Sequence, residues 1–329
     1  MSAIAPHITA FLREHLPVQR GASEHTCQSY AYAFQLLFHY ASKQYNVIPS
    51  ALELEQLDAP LIMAFLEQLE SKRGNAASTR NARLAAIKSF MRFCEYRDPA
   101  ALEQSRRILA IPFKRTDTAL ISHLSITEMQ AILNAPDIRV RAGLRDRAML
   151  HLCFSAGLRV SELVNLPLAA LVFQPSPSIY IRGKGRRERC LPLWKQAVVD
   201  LRAWLVVRGD VLVPELFLNA RGQPMTRSGF EYVLHKYVQA ATKFCDTLKH
   251  KRVSPHVLRH TCAMMILQAT GDRRKVSLWL GHADLQTTEM YLRADPTEKL
   301  EAIEAITPPS LKRGRLQVPD KLIASLKQH

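Results

Sequence analysis

The sequence predicts a mainly α-helical protein with a small antiparallel β-sheet, arranged as two domains. Apolar residues recur at helical spacing through most of the 329 residues, a length that suits two cores better than one. Residues 178–193, SIYIRGKGRRERCLPL, instead alternate apolar and polar side chains on both sides of Gly183-Lys184-Gly185, the pattern of a hairpin with a basic tip. Between the helical runs, residues 98–122 hold Pro99 and Pro112 and few periodic apolar positions. The expected division is a helical domain over 1–110, a linker over 111–121, a second domain over 122–307 and a basic tail over 308–329.

In the first domain, Tyr30, Phe34, Leu37 and Phe38 mark a helix over 24–45, and LIMAFLEQLESKR marks another over 60–73 that stops at Gly74. A third starts near Ser78 with Leu84, Ile87, Phe90, Met91 and Cys94 as its apolar stripe. Its other face shows Arg80, Arg83, Lys88 and Arg92, read either as a solvated basic face or as DNA contacts. In the second domain, Ser125-Ile-Thr-Glu128 fits a capping box. Residues 143–156 are apolar on most sides and belong at the centre of a core. Further helices are expected at 194–207, 228–243, 255–269, 273–280 and 296–306, the last opened by Asp295-Pro-Thr-Glu298.

Net charge is +16, from 45 Lys and Arg against 29 Asp and Glu, which favours a polyanionic partner. The excess is concentrated: residues 122–329 hold 31 basic and 18 acidic side chains, residues 1–121 only 14 and 11. With no long basic amphipathic helix suited to a membrane surface, nucleic acid is the favoured polyanion. No run of about 18 uncharged apolar residues occurs, and the N-terminus lacks the pattern of a signal peptide. A cytoplasmic protein is expected, nucleoid-associated when acting. The six cysteines are scattered without a CxxC pair, so buried reduced thiols are expected rather than disulfides.

The segment S254-P-H-V-L-R-H260 carries chemistry. Ser254 suits an N-cap and Pro255 the first helical position. His256 and Arg259, three apart, then share one face of a first turn where main-chain N–H groups already favour an anion. Read alone, the segment is by default a partly buried His and a surface Arg. His256 and His260 also have the H-x-x-x-H spacing of zinc helices, but Val257 stands where a hydrolytic zinc site needs Glu and no further ligands lie nearby, so no metal is expected. GLRVSEL places Arg159 between two helices with Glu162 three residues on, able to buttress it. Lys184 crowns the hairpin. WLGHADLQTTEMYL supplies His282 after Gly281 and Tyr291 nine residues later.

In this order, GLRVSEL, the glycine-flanked Lys184, HVLRH, LGH and Tyr291 resemble the signature of tyrosine recombinases and phage integrases, over about 122–306. The N-terminal helices resemble the family's core-binding domain more weakly. The resemblance implies a helical core-binding domain followed by a tyrosine-recombinase catalytic domain, acting on double-stranded DNA recombination sites. It implies that Arg159 and Arg259 clamp the nonbridging oxygens of the scissile phosphate. His256 would bind that phosphate or take the tyrosine proton, and His282 would donate to it. Lys184 would protonate the departing 5′ oxygen, and Tyr291 would attack phosphorus to give a 3′-phosphotyrosine. Arg186 and Arg187 beside Lys184 are candidate DNA contacts. The link conserves the phosphodiester energy, so neither ATP nor another cofactor is expected.

The family also implies a tetramer on two sites, joined through the helix near 296–306, with other recombinases as possible partners. Only 72 residues separate Lys184 from His256, which resembles the compact Xer-like and mobile-element enzymes. A type IB topoisomerase uses the same covalent step alone, and a non-catalytic DNA-binding protein is the reading from another class.

Overall fold

A computed structural model describes residues 3–116, 121–183 and 188–281. The chain divides into two units, Met1–Thr118 and Ala119–His329. In the first, α1 (Ile4–Ala10) runs on as a π-helix, Phe11–Gln19. The sequence pattern predicts no helix there, because Pro17 and the charged residues mask the period while Ile4, Phe11 and Leu16 still reach the core. α2 (Glu24–Tyr45) is capped by Ser23, and α3 (Ala59–Ser71) by Asp58, whose carboxylate accepts from Leu61 N–H at 2.8 Å. α4 (Ala77–Arg97) and α5 (Leu102–Leu109) complete the unit.

Its core is aromatic. Phe11, Phe34, Phe65, Phe90 and Phe93 are buried, and Phe90 meets Phe11 and Phe34 edge to face at 5.4 and 5.3 Å. Truncating such a ring to Ala costs about 3–5 kcal/mol. Part of the expected linker is fastened to this unit. Arg80 donates to Pro112 O at 3.0 Å, and Asn81 both donates to Lys114 O and accepts from Lys114 N–H. Lys88 donates to Leu109 O at 2.7 Å and lies over the Phe113 ring. Side-chain-to-backbone bonds leave no hydrophobic period, which is why residues 111–116 read as linker.

In the second unit, α6 (Ile126–Asn134) opens with the expected capping box: Ser125 Oγ accepts from Glu128 N–H, and the Glu128 carboxylate from Ser125 N–H. α7 (Arg141–Ser155) is buried along almost its whole C-terminal half. The short α8 (Val160–Val164) leads to a three-stranded antiparallel sheet in the order β1 (Leu171–Val172), β2 (Ser178–Arg182), β3 (Glu188–Pro192), with Tyr180 opposite Cys190. β1 is two residues long, too short to show alternation in sequence. α9 (Lys195–Arg208), α10 (Arg227–Ala241), α11 (Pro255–Thr270) and α12 (Arg273–Leu280) follow.

Several buried polar side chains of this core are paired with one another. His151 Nδ1 lies 2.8 Å from Asp200, Arg147 also reaches Asp200, and the Tyr237 hydroxyl donates to Asp146 at 3.0 Å. All six cysteines are free thiols. Cys94, Cys153 and Cys262 are buried as expected, but Cys190 is exposed, because its position on β3 points away from the core. Among the described residues no helix is long and apolar enough to cross a membrane. The expected helix at 296–306 and the tail at 308–329 lie outside the described residues.

Candidate active site

The ends of three helices meet in the second unit. α7 stops at Ser155, and Gly157, at φ +57°, reverses the chain into Arg159. A Cβ on Gly157 would lie 2.5 Å from Leu280 Cδ2, so the glycine meets both the backbone angle and the close approach of α12. Arg159 occupies the position before α8. Its main-chain N–H donates to Glu162 Oε2 at 3.0 Å and its Nη1 to Glu162 Oε1 at 2.8 Å. The arginine therefore keeps a fixed base while its side chain stays about a third exposed, at 31%.

Glu162 is buried and also receives Arg189, through Nη2 at 2.8 Å and Nη1 at 3.2 Å. Burial disfavours its charge, but hydrogen bonds and charge from Arg189, together with Arg159, outweigh this and hold its carboxyl below the ordinary value. Arg189, on β3, is not singled out by sequence because the basic run Arg186-Arg187 beside it masks it. The signal is its place in the strand, where alternation puts it on the side of the sheet opposite Cys190.

Pro255 opens α11, as expected. Ser254 stands at the N-cap, yet its hydroxyl makes no capping bond, which corrects the expected role of that side chain. His256 is exposed on the first turn, and its ring lies 6.4 Å from that of His260. Burial, and then the charges of His256 and Arg259, push the His260 imidazole down to about 4. Arg259 is buried, with Nη1 donating to Gly157 O at 2.5 Å and Nη2 to Leu280 O at 2.7 Å. It thus ties the α7–α8 turn to the end of α12, one residue before Gly281. Cys262 lies below this knot, its thiol pushed up to about 12 by burial, so it stays protonated.

Arg159, Glu162, His256 and Arg259 are therefore brought to one end of the unit. Lys184, Arg186, Arg187, His282 and Tyr291 lie outside the described residues. The strands flanking Lys184 and the residue before His282 are described, and both border the same cluster through Arg189 and Gly281. The basic residues of α4 belong to the other unit. Arg80 is buried, at 7% exposure, and Arg83 donates to Ser29 O and stacks on Tyr32. With Lys88 bonded to Leu109 O, this face is a set of braces as well as a charge, and Arg80 is withdrawn from the surface that DNA could touch.

Residues 123–298 match the phage integrase family and residues 8–97 the phage integrase N-terminal SAM-like domain. The chain belongs to the phage integrase family of tyrosine recombinases, enzymes that cleave and rejoin DNA in site-specific recombination. It is 40% identical to a Sinorhizobium fredii protein that bears the name integrase/recombinase y4rC, over 99% of this chain and 98% of that one. It is 32% identical to the tyrosine recombinase XerD of Haemophilus influenzae, over 86% and 92%. In fold it resembles the XerH site-specific recombinase solved on its difH substrate in a post-cleavage complex, with TM-score 0.64, 24% identity and 87% and 81% of the two chains covered. It also resembles lambda integrase solved as a tetramer on a Holliday junction, with TM-score 0.62, 15% identity and 88% and 77% covered.

Proposed function

We propose that Tyr291 is the nucleophile of this recombinase and that Arg159, Lys184, His256, Arg259 and His282 serve it. The observation that supports this most is the Arg259 knot: one guanidinium holds both the carbonyl two residues before Arg159 and the carbonyl two residues before His282. Gly157 and Leu280, 123 positions apart in the chain, are thereby joined, which supports a shared site. In the reaction, the Tyr291 phenolic oxygen attacks phosphorus and its proton passes to His256. The bond from phosphorus to the 5′ oxygen breaks, and Lys184 gives that oxygen a proton. A 3′-phosphotyrosine results, and an incoming 5′ hydroxyl reverses the sequence to rejoin the strand. Arg159 and Arg259, aided by His282, offset the phosphate charge that repels the nucleophile. Glu162 acts by positioning Arg159.

The working assembly on this reading is a tetramer on two double-stranded DNA sites, of one recombinase or of two related ones. The segment near 295–306 docks on a neighbouring protomer. An open apolar groove of about 680 Å³ in the second unit, lined by Leu191, Trp194, Met265, Ile266, Leu278 and Trp279, is a receptor of suitable character. Leu278 is 75% exposed there. Arg83, Lys88, Arg186 and Arg187 remain candidate DNA contacts.

Trapping the protein on DNA in cells and sequencing the attached ends tests the function. Covalent 3′ ends at a few discrete paired sites are expected. Ends scattered along supercoiled DNA would instead indicate a relaxing topoisomerase, and no covalent ends a binding protein.

A further inference from the structure

Arg189 joins parts of the site that are far apart in the chain. It lies five residues beyond Lys184 in the chain, as the second residue of β3. Its side chain is 9% exposed, and its two terminal nitrogens grip both oxygens of Glu162. A Cβ on Gly281 would sit 3.1 Å from Arg189 Cδ and Nη1, so the same guanidinium also fills the space under the turn preceding His282. Its Nε is buried with no hydrogen-bond partner. The side chain stays in place although one donor is unsatisfied, so its position is set by the fit of the guanidinium fork to Glu162. Lysine would supply the charge without spanning both carboxylate oxygens.

The consequence falls on Arg159, whose side chain reaches Glu162 through Nη1 alone while its main-chain N–H holds the other oxygen. With Arg189 on the carboxylate, Arg159 is kept from closing a two-point pair with Glu162 and retains donors for another acceptor. Remove Arg189, and the buried carboxylate has one arginine left to satisfy it.

We propose that Arg189 is a positioning residue for the cleavage reaction: by occupying Glu162 it holds the Arg159 guanidinium turned toward the phosphate. This rests on the reading of Arg159 as a phosphate clamp. On this proposal the side chain of Arg189 acts through Glu162, and its loss is felt at Arg159.

The test compares full-length Arg189→Ala and Arg159→Ala with wild type on a suicide DNA substrate carrying either an ordinary phosphodiester or a methylphosphonate at the cleavage position. The methyl group removes the nonbridging charge and with it the need for a full cationic clamp. Thermal unfolding and the Kd for DNA are measured alongside. Arg189→Ala is expected to fold, to bind DNA within about twofold of wild type and to cleave the phosphodiester about 10- to 100-fold more slowly, the scale of a misplaced catalytic group. On the methylphosphonate the rate relative to wild type should recover, as for Arg159→Ala. A 5′-thio leaving group, which relieves the need for a proton donor, should not restore it.

Equal defects on phosphodiester and methylphosphonate, or no defect on either, overturn the proposal. Rescue by sulfur overturns it in favour of a route through Lys184. If Arg159→Ala itself gains nothing from the methylphosphonate, the clamp reading fails and the proposal falls with it. Relief of Arg159→Ala but not of Arg189→Ala overturns the proposal alone. Where the alanine variant does not fold, Arg189→Lys, which keeps a cation against Glu162, carries the same comparison.

Discussion

Arg259 Nη2 donates to the main-chain carbonyl of Leu280 at 2.7 Å, joining the first turn of α11 to the last turn of α12. Its Nη1 holds Gly157 O, so a single residue braces the knot and, on the proposed reading, the phosphate. Arg259→Lys keeps the charge but cannot reach both carbonyls. It should abolish measurable cleavage and also lower stability, since each hydrogen bond to a charged group contributes about 1.5–3 kcal/mol. Suicide-substrate assays and chemical denaturation check the two effects. Full stability with abolished cleavage would separate catalysis from the brace.

Gly157 and Gly281 both sit at positive φ, but their surroundings differ. A Cβ on Gly157 meets Leu280 Cδ2 at 2.5 Å in a packed core, whereas one on Gly281 meets the Arg189 side chain at 3.1 Å. Each substitution to Ala adds the left-handed backbone cost of about 1–2 kcal/mol. Gly157→Ala should lose clearly more stability than Gly281→Ala in denaturant titrations. Gly281→Ala, by displacing the Arg189 side chain, should lose mainly cleavage. The reverse order of stability would show that α12 yields more easily than its packing implies.

His260 gives a pH dependence with a defined sign. Its folded value is pushed down from 6.5 to about 4, so the unfolded chain binds more protons between those limits. Stability from this group is full above the upper limit and is lost as pH falls toward the lower one. His260→Asn should therefore flatten the melting temperature between pH 6.5 and 4 relative to wild type. An unchanged slope would assign the acid limb to other groups. Glu162, whose carboxyl is also depressed, loses its contribution only at still lower pH, below the ordinary value of 4.5.

The helices and the chemical boxes are legible in the sequence because each leaves a local pattern: an apolar period, a capping residue, Gly157 before Arg159, Pro255 before His256. What stays hidden is what side chains do across the chain. The fastening of residues 112–114 by Arg80 and Asn81 has no periodic trace. The grip of Arg189 on Glu162, across 27 positions, emerges only when β3 is set beside α8. Arg80 itself reads as a surface cation until its burial is seen.

The division of labour between the units is testable through salt. If both halves touch phosphates, a protein beginning at residue 119 should bind DNA more weakly. The slope of log affinity against log salt should also be shallower, by about 0.9 for each phosphate that is no longer neutralised. Fluorescence anisotropy across a salt series measures this. An unchanged slope would show that the helices of the first unit do something other than hold DNA.

The most direct measurement concerns Tyr291. Wild-type protein and Tyr291→Phe are each incubated with a suicide substrate, denatured, and analysed for protein bound to the DNA 3′ end, with peptide mapping of the adduct. Wild type should give a 3′-phosphotyrosine on the peptide containing Tyr291, and Tyr291→Phe should bind DNA normally and give no adduct. Tyr237 is a poor substitute, since burial and its bond to Asp146 raise its hydroxyl well above the ordinary range. A persisting adduct in Tyr291→Phe, mapped to exposed Tyr180 or to any other residue, would contradict the assignment of the nucleophile.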